Sequence, residues 1–167
     1  ASDLRADRDG RRAYVLAHYC KIMATLSLQP NCSLPDFGLE LGQAWEQNDL
    51  DNHSYLLSNP QGHPAEIIYW SLGTYDLLNN RISRGLERQK KAVEICFQDQ
   101  DSLTMHTIGL GILVEEAAIL LRLEHKEHEE ALKRALYRVQ RFLETPGLPK
   151  SIKSYFGHWP RVIQAVN

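Results

Sequence analysis

The sequence has no CxxC pair, and its three cysteines, Cys20, Cys32 and Cys96, are odd in number and far apart. That gives no pattern of a disulfide framework and no paired-thiol zinc or redox motif. The simplest expectation is reduced thiols in an intracellular, cytoplasmic setting. No stretch is a clean membrane span. The most apolar run, Ile108 to Leu123, is interrupted by Glu115 and Glu116 and carries Arg122, which is the pattern of a buried helix, so no membrane partner is expected. No run of alternating residues is bounded by turns, so no strand is expected. No leader pattern is visible, but the sequence begins at Ala1, and that absence decides nothing about compartment. Two glycosylation-type triplets, Asn31-Cys32-Ser33 and Asn52-His53-Ser54, are of a kind that arises often by chance.

Cations are missing from one region altogether. Between Lys21 and Arg81 there is no lysine or arginine, while Asp36, Glu40, Glu46, Asp49, Asp51, Glu66 and Asp76 give that interval a charge of −7. Residues 131–167 are the reverse, with seven cations against the single acid Glu144. The net charge of −2 hides this division. The two halves either face each other, sit in water, or present two electrostatically distinct partner surfaces.

What is present is helical punctuation. Residues 3–26 carry Val15, Leu16, Tyr19, Ile22, Met23 and Leu26 at one-sided helical spacing, and Pro30 ends the segment. Ser33-Leu34-Pro35-Asp36 is a helix start, with a capping serine followed by a proline and an acid in the first turn. That helix fades near Gln47, and residues 48–62 read as a loop with room for one helical turn. Pro64 opens a helix to about Leu78, Asn79-Asn80 is a turn, and residues 81–97 form the next helix. Asp101-Ser102 can cap a helix through Leu123, and residues 126–144 form another, with Glu129→Lys133 and Glu130→Arg134 pairs on its polar face. Thr145-Pro146-Gly147 breaks the chain, and Pro149 opens a last helix that Pro160 should kink or end. The expected fold is all-α, with about six helices in antiparallel hairpins stacked as a bundle or short solenoid. The expected organisation is one helical domain over 1–167: N-terminal helices over 1–48, two tandem hairpins over 64–144 and a capping helix over 149–167.

The first hairpin carries Tyr69, then Leu72-Gly73, then Gly85 twelve residues after the glycine, then Ala92 seven further on. In that order and spacing it resembles a tetratricopeptide repeat, in which small residues let two helices approach and bulky ones fill the gap. Asp76 departs from the pattern, standing where an aromatic is usual, and no proline closes the unit. The second hairpin fits less well: Ala135 matches a small position, but His128 and Glu116 fall where small residues belong. The resemblance covers residues 64–97 best and does not reach the first 60. It implies a scaffold that binds a peptide or partner helix rather than a catalyst.

Catalytic and metal chemistry find little footing. His125, His128 and Glu129 could meet on one helix face as metal ligands, but no HExxH and no Glu-x-x-His is present, and acids at a helix start explain the same residues. Glu115 and Glu116 interrupt an apolar helix. At least one is expected to be partly buried, unless the pair marks a narrow wet stripe with Thr107 and Arg122. His18 and Cys20 lie two apart, and Gly38, Gly42, Gly109 and Gly111 sit in helices without a preceding strand, so neither a thiol nucleophile nor a phosphate loop is supported. No catalytic residue and no cofactor is expected.

The expectation is therefore a protein- or peptide-binding interaction module, of adaptor, chaperone-like or regulatory kind. On the helix of residues 64–78, Ile68, Leu72 and Tyr75 make a face for the following helix. Ile67, Trp70, Thr74, Leu77 and Leu78 lie largely outside it. Trp70, Thr74 and Leu77, together with the basic residues Arg84, Arg88 and Lys91, form the expected partner surface. The N-terminal helices are expected to cover most of that second face, with an open groove as the alternative. An acidic rim there would favour a basic, amphipathic partner. The alternative is a nucleic-acid-binding or regulatory domain. It would use the stripe Arg81, Arg84, Arg88 and Lys91, or the mixture of Tyr155, Phe156 and Trp159 with Lys150, Lys153 and Arg161. A solvated helix face gives the same stripe, and an aromatic cap the same cluster. A small helical enzyme or metal protein is a third reading.

Overall fold

In a computed structural model, the structure describes residues 34–48, 65–98 and 100–165. The expected helix at 3–26, the loop at 48–62 apart from Asn48, Cys20, Cys32 and both glycosylation-type triplets lie outside the described residues, as does capping by Ser33. The described residues hold seven α-helices and no strand. They are α1 (Leu34–Asn48), α2 (Ala65–Leu78), α3 (Ile82–Gln98), α4 (Leu103–Arg122), α5 (His128–Leu143), α6 (Lys150–Gly157) and α7 (Trp159–Ala165). Contacts divide the chain into two compact units, Ala1–Ala92 and Val93–Asn167, with the division falling inside α3.

In the first unit α1 packs on α2, and glycines set the approach. A Cβ at Gly38 would lie 2.9 Å from Thr74 Cγ2, and one at Gly42 would lie 2.6 Å from Tyr75 Cβ and overlap the Ser71 carbonyl oxygen. On the other side of α2, a Cβ at Gly73 would lie 2.9 Å from Gln89 Cγ, and one at Gly85 would lie 2.8 Å from Leu77 Cγ. The rows that meet no Cβ come closest, and they decide which face meets which helix. Ser71, Thr74 and Tyr75 face α1, whereas Gly73 and Leu77 face α3. This rotates the expected assignment, which gave Tyr75 to the third helix and left Leu77 outside. Leu41, Trp45, Ile68, Leu72 and Leu77 are buried in the resulting core. Each large side chain of this kind contributes about 1.5–3 kcal/mol.

The end of α2 is a Schellman turn. Asn80 takes φ 60°, its N–H donates to Leu77 O, and the Arg81 N–H donates to Asp76 O. Asparagine tolerates this left-handed position better than most residues, which is why Asn79-Asn80 reads correctly as a turn.

In the second unit Ser102 caps α4, its hydroxyl accepting from the Met105 N–H at 3.3 Å. A second Schellman turn ends α4: Glu124 N–H donates to Leu121 O and His125 N–H to Leu120 O. Here the left-handed residue is Glu124, at φ 52°. Glutamate carries no sequence signal for that conformation. The expected start of the next helix at 126 therefore comes two residues early, because α5 begins at His128. Replacing Glu124 by glycine should remove the left-handed strain and stabilise the protein by about 1 kcal/mol. A denaturant midpoint that falls in Glu124→Gly would show that the side chain contributes more than its backbone costs.

Helix α4 is long and apolar enough to cross a membrane by length and composition. It buries Leu110, Ile112, Leu113, Ala117, Ile119 and Leu120 within the protein and packs on α5. Ala131, Leu132, Ala135, Val139 and Phe142 form the inward face of α5. The last segment is two helices rather than one. The chain breaks at His158, just before α7, where Pro160 has no N–H to continue the ladder of α6. Both α6 and α7 pack on α5.

Candidate functional site

The residues expected to meet a partner are drawn largely into the first unit. Trp70, Thr74 and Leu77 are buried. Thr74 Oγ1 donates to Trp70 O at 2.9 Å, and the fully buried Gln89 donates from Nε2 to Thr74 Oγ1 at 3.1 Å and to Trp70 O at 3.2 Å. This small polar network joins α2 to α3, and Gly38 of α1 lies over Thr74. The second face of α2 is thus occupied by the protein's own helices.

Arg84 and Arg88 converge with Arg81 on Asp76, whose side chain is fully buried. Arg88 Nη1 donates to Asp76 Oδ2 at 2.8 Å, Arg81 Nε lies 2.8 Å from Oδ1 and Arg84 Nε lies 3.4 Å from Oδ2. The Arg81 contact is an ion pair without a directed hydrogen bond, and the guanidinium also lies over the Tyr75 ring at 4.9 Å. Glu46 of α1 adds a second carboxylate, 3.4 Å from Arg84 Nη2 and 3.8 Å from Arg88 Nη1. Burial pushes the Asp76 carboxyl up from its ordinary value, against the pull of Arg88, Arg84 and Arg81. Asp76 is the residue that departs from the repeat pattern, and that departure, with the recurring arginines, was the signal of this cluster. An acid in an apolar helix needs cations, and α3 supplies them at one-turn spacing. The fourth member of the stripe, Lys91, pairs with Glu87 at 3.8 Å and lies 5.5 Å from the centre of the Tyr69 ring. The stripe's guanidinium charge is therefore spent inside the unit.

In the second unit Glu115 and Glu116 are both buried, rather than lining a wet stripe. Arg134 donates from Nη2 to Glu116 Oε1 at 2.9 Å. The expected Glu130→Arg134 pair gives way to this contact, since a buried carboxylate gains more from a cation than an exposed one does. Lys133 pairs with Glu130, three residues away, at 2.9 Å. Burial pushes the Glu116 carboxyl up, opposed by the hydrogen bond and charge of Arg134. An acid with a raised folded pKa holds its proton more tightly folded than unfolded. Its contribution to stability therefore falls as pH rises through the raised value, and recovers as pH falls toward the ordinary carboxyl range. Glu116→Gln should melt at or above the wild-type temperature at neutral pH, with the difference closing on acidification. Thermal melts across that range check this. A glutamine variant that is less stable at neutral pH would mean that pairing with Arg134 outweighs burial.

The histidines of the metal reading are engaged locally. His128 Nδ1 lies 2.7 Å from His125 O, and the Glu127 N–H donates to His125 Nδ1 at 3.2 Å. Glu129 sits exposed in the first turn of α5. Among the described residues no group of three or more histidine, cysteine or acidic side chains is arranged to hold a metal ion.

Aromatic rings continue through the second unit. His106 lies 5.2 Å from Phe97 and 6.5 Å from Phe142, and Phe142 meets Phe156 edge-on at 5.4 Å. Phe156 is 4.5 Å from Trp159 and 4.9 Å from Tyr155. Arg138 lies over Phe97 at 4.7 Å. The buried Phe156 seals α6 to α5, while Tyr155 remains 59% exposed. The mixture of Tyr155, Phe156 and Trp159 is thus an inward anchor with an outward edge. No protein-family model, curated protein or solved structure matches this chain.

Proposed function

We propose that the chain is a helical interaction module that binds a protein or peptide, of adaptor, chaperone-like or regulatory kind. The observation that carries this is how α2 and α3 close on each other. Gly73 and Gly85 stand where a Cβ would collide with the facing helix, and Ala92 is fully buried seven residues further on. That is the packing that the tetratricopeptide-like spacing calls for, and helical hairpins of this kind serve as binding scaffolds. The carboxylates Asp76, Glu46 and Glu116, each with a guanidinium partner, are committed to holding helices together. The partner surface cannot be the row of Trp70, Thr74 and Leu77 while those side chains are buried, so it belongs on an exposed face.

The test is affinity capture of the full chain from a native-source extract, with cross-linking to map the contacts. The expected result is a protein recovered in near-stoichiometric amount, resistant to nuclease, and cross-linked to an exposed face. Recovery that disappears on nuclease treatment would favour the nucleic-acid alternative. No specific recovery would overturn the proposal.

A further inference from the structure

We infer that the outer face of α5 around Arg134, Tyr137, Arg138 and Arg141 is the docking surface for a short acidic helix of a partner protein. The inference rests on the interaction-module reading and says which face and which partner chemistry serve it. Arg134, Arg138 and Arg141 recur along α5 at intervals of four and three. Tyr137 follows Arg134 by three residues and precedes Arg141 by four. Both outer arginines are therefore one-turn neighbours of Arg138 and of Tyr137 alike. Helix geometry alone gathers the four side chains into one patch. All four are exposed, Tyr137 to 59%, while Ala131, Ala135, Val139 and Phe142 on the other side of α5 are buried.

The charge of this patch is not spent inside the protein. Arg134 engages Glu116 through one nitrogen, Nη2, at 2.9 Å. Arg138 lies over the Phe97 ring at 4.7 Å, a contact that steadies the guanidinium plane and uses none of its N–H donors. Arg141 makes no ion pair among the described residues. Three guanidiniums thus share one carboxylate, whereas Arg81, Arg84 and Arg88 converge on Asp76 with Glu46 beside it. The flanking acids set the class and length of the occupant. Glu130 stands one turn before Arg134 and Glu144 three residues after Arg141, and both are exposed. A nucleic-acid strand continuing along the helix would meet a carboxylate at each end of the row. A helical segment with acids at i, i+4 and i+7 spans the row, about 10 Å, and stops short of both. Its carboxylates can each take paired N–H bonds from a guanidinium, and an apolar residue one turn from two of those acids packs on the Tyr137 ring.

The test uses the full chain and fluorescence anisotropy of a labelled 14-residue helix-forming peptide, with Glu at positions 4, 8 and 11, Leu at position 7, and Ala and Gln elsewhere. Comparison probes are the same peptide with Gln for each Glu and a thymidine oligonucleotide. The acidic peptide should bind most tightly. Arg138→Gln with Arg141→Gln should weaken it at least ten-fold, and Tyr137→Ser several-fold. Melting temperatures should stay within a few degrees of wild type, because these side chains are exposed and the Arg134–Glu116 pair is left in place. Arg141→Gln alone keeps the Phe97 contact and should still weaken binding several-fold, which covers a double variant that fails to fold. Absent binding of the acidic peptide, equal binding of its Gln version, tighter binding of the oligonucleotide, or unchanged affinity in the arginine variants would each overturn the inference. So would self-association of the chain that the same variants abolish, since the face would then belong to a second copy. The double variant, used in the extract capture, separates the two proposals. A partner retained in full leaves the module reading standing and removes this surface from it. A chain that captures no partner in any form removes the module reading itself.

Discussion

Gly42→Ala should be among the most damaging single-methyl additions to this protein. The added carbon would overlap the Ser71 carbonyl oxygen and lie 2.6 Å from Tyr75 Cβ and 2.9 Å from Ser71 C. Two of these neighbours are backbone and the third is the first carbon of its side chain, so none can swing away as the tip of a flexible side chain would. Relief requires α1 to move off α2 as a body. Overpacking of this kind costs about 1–3 kcal/mol. Separation also loosens Leu41 and Trp45, each now 1% exposed, and partial loss of their burial brings the expected cost to about 3 kcal/mol or more. For a chain of this length that lowers the melting temperature by roughly 6–12 °C. Gly111→Ala is the internal control. It sits mid-helix in α4 with nothing within 4 Å of the added carbon, so alanine's better helix propensity should raise stability by about 0.5–1 kcal/mol. The same substitution should thus have opposite signs at the two sites. A Gly42→Ala protein that melts like wild type would mean that α1 is not seated on α2 in this way.

Arg88→Ala should follow closely in effect, and for an electrostatic reason. Asp76 is fully buried, and Arg88, only 17% exposed, is its most enclosed guanidinium. Removing one member of a buried ion pair leaves a charge without full compensation, which costs about 3–5 kcal/mol. Arg81 and Arg84 remain nearby, so the lower end, about 3 kcal/mol, is expected. Arg84→Ala should cost about 1 kcal/mol or less: its contacts with Glu46 and Asp76 are at 3.4 Å, and its side chain is 46% exposed and screened by solvent. Chemical denaturation of the two alanine variants, at low and high salt, measures the difference. Equal losses, or an Arg88 contribution that vanishes in salt, would show that depth of burial does not govern the cluster.

Helix positions were legible in the sequence because local chemistry sets them. The proline after Thr145, the asparagines at 79–80 and the serine at 102 act on their own backbone neighbours, whatever surrounds them. The failure at Glu124 follows from the same rule. A left-handed glutamate has no propensity to announce it, and only the tertiary packing that fixes α4 against α5 makes its turn worthwhile. The close-approach glycines were also visible as a spacing, since Gly73, Gly85 and Ala92 follow a pattern that exists only for packing.

The direction in which each helix face points was decided by the tertiary structure. Periodicity shows that α2 has two apolar sides, but it does not say which neighbour takes which. That is settled where two backbones can come nearest, at Gly38 and Gly42 on one side and at Gly73 and Gly85 on the other. The same holds for charge. The sequence shows four cations recurring from Arg81 into α3, a pattern common to a solvated face and a binding stripe. Only the fold brings Asp76 and Glu46 within reach of three of them. A charge's role depends on what lies within a few ångströms across the chain, and sequence spacing carries that information only within one helix.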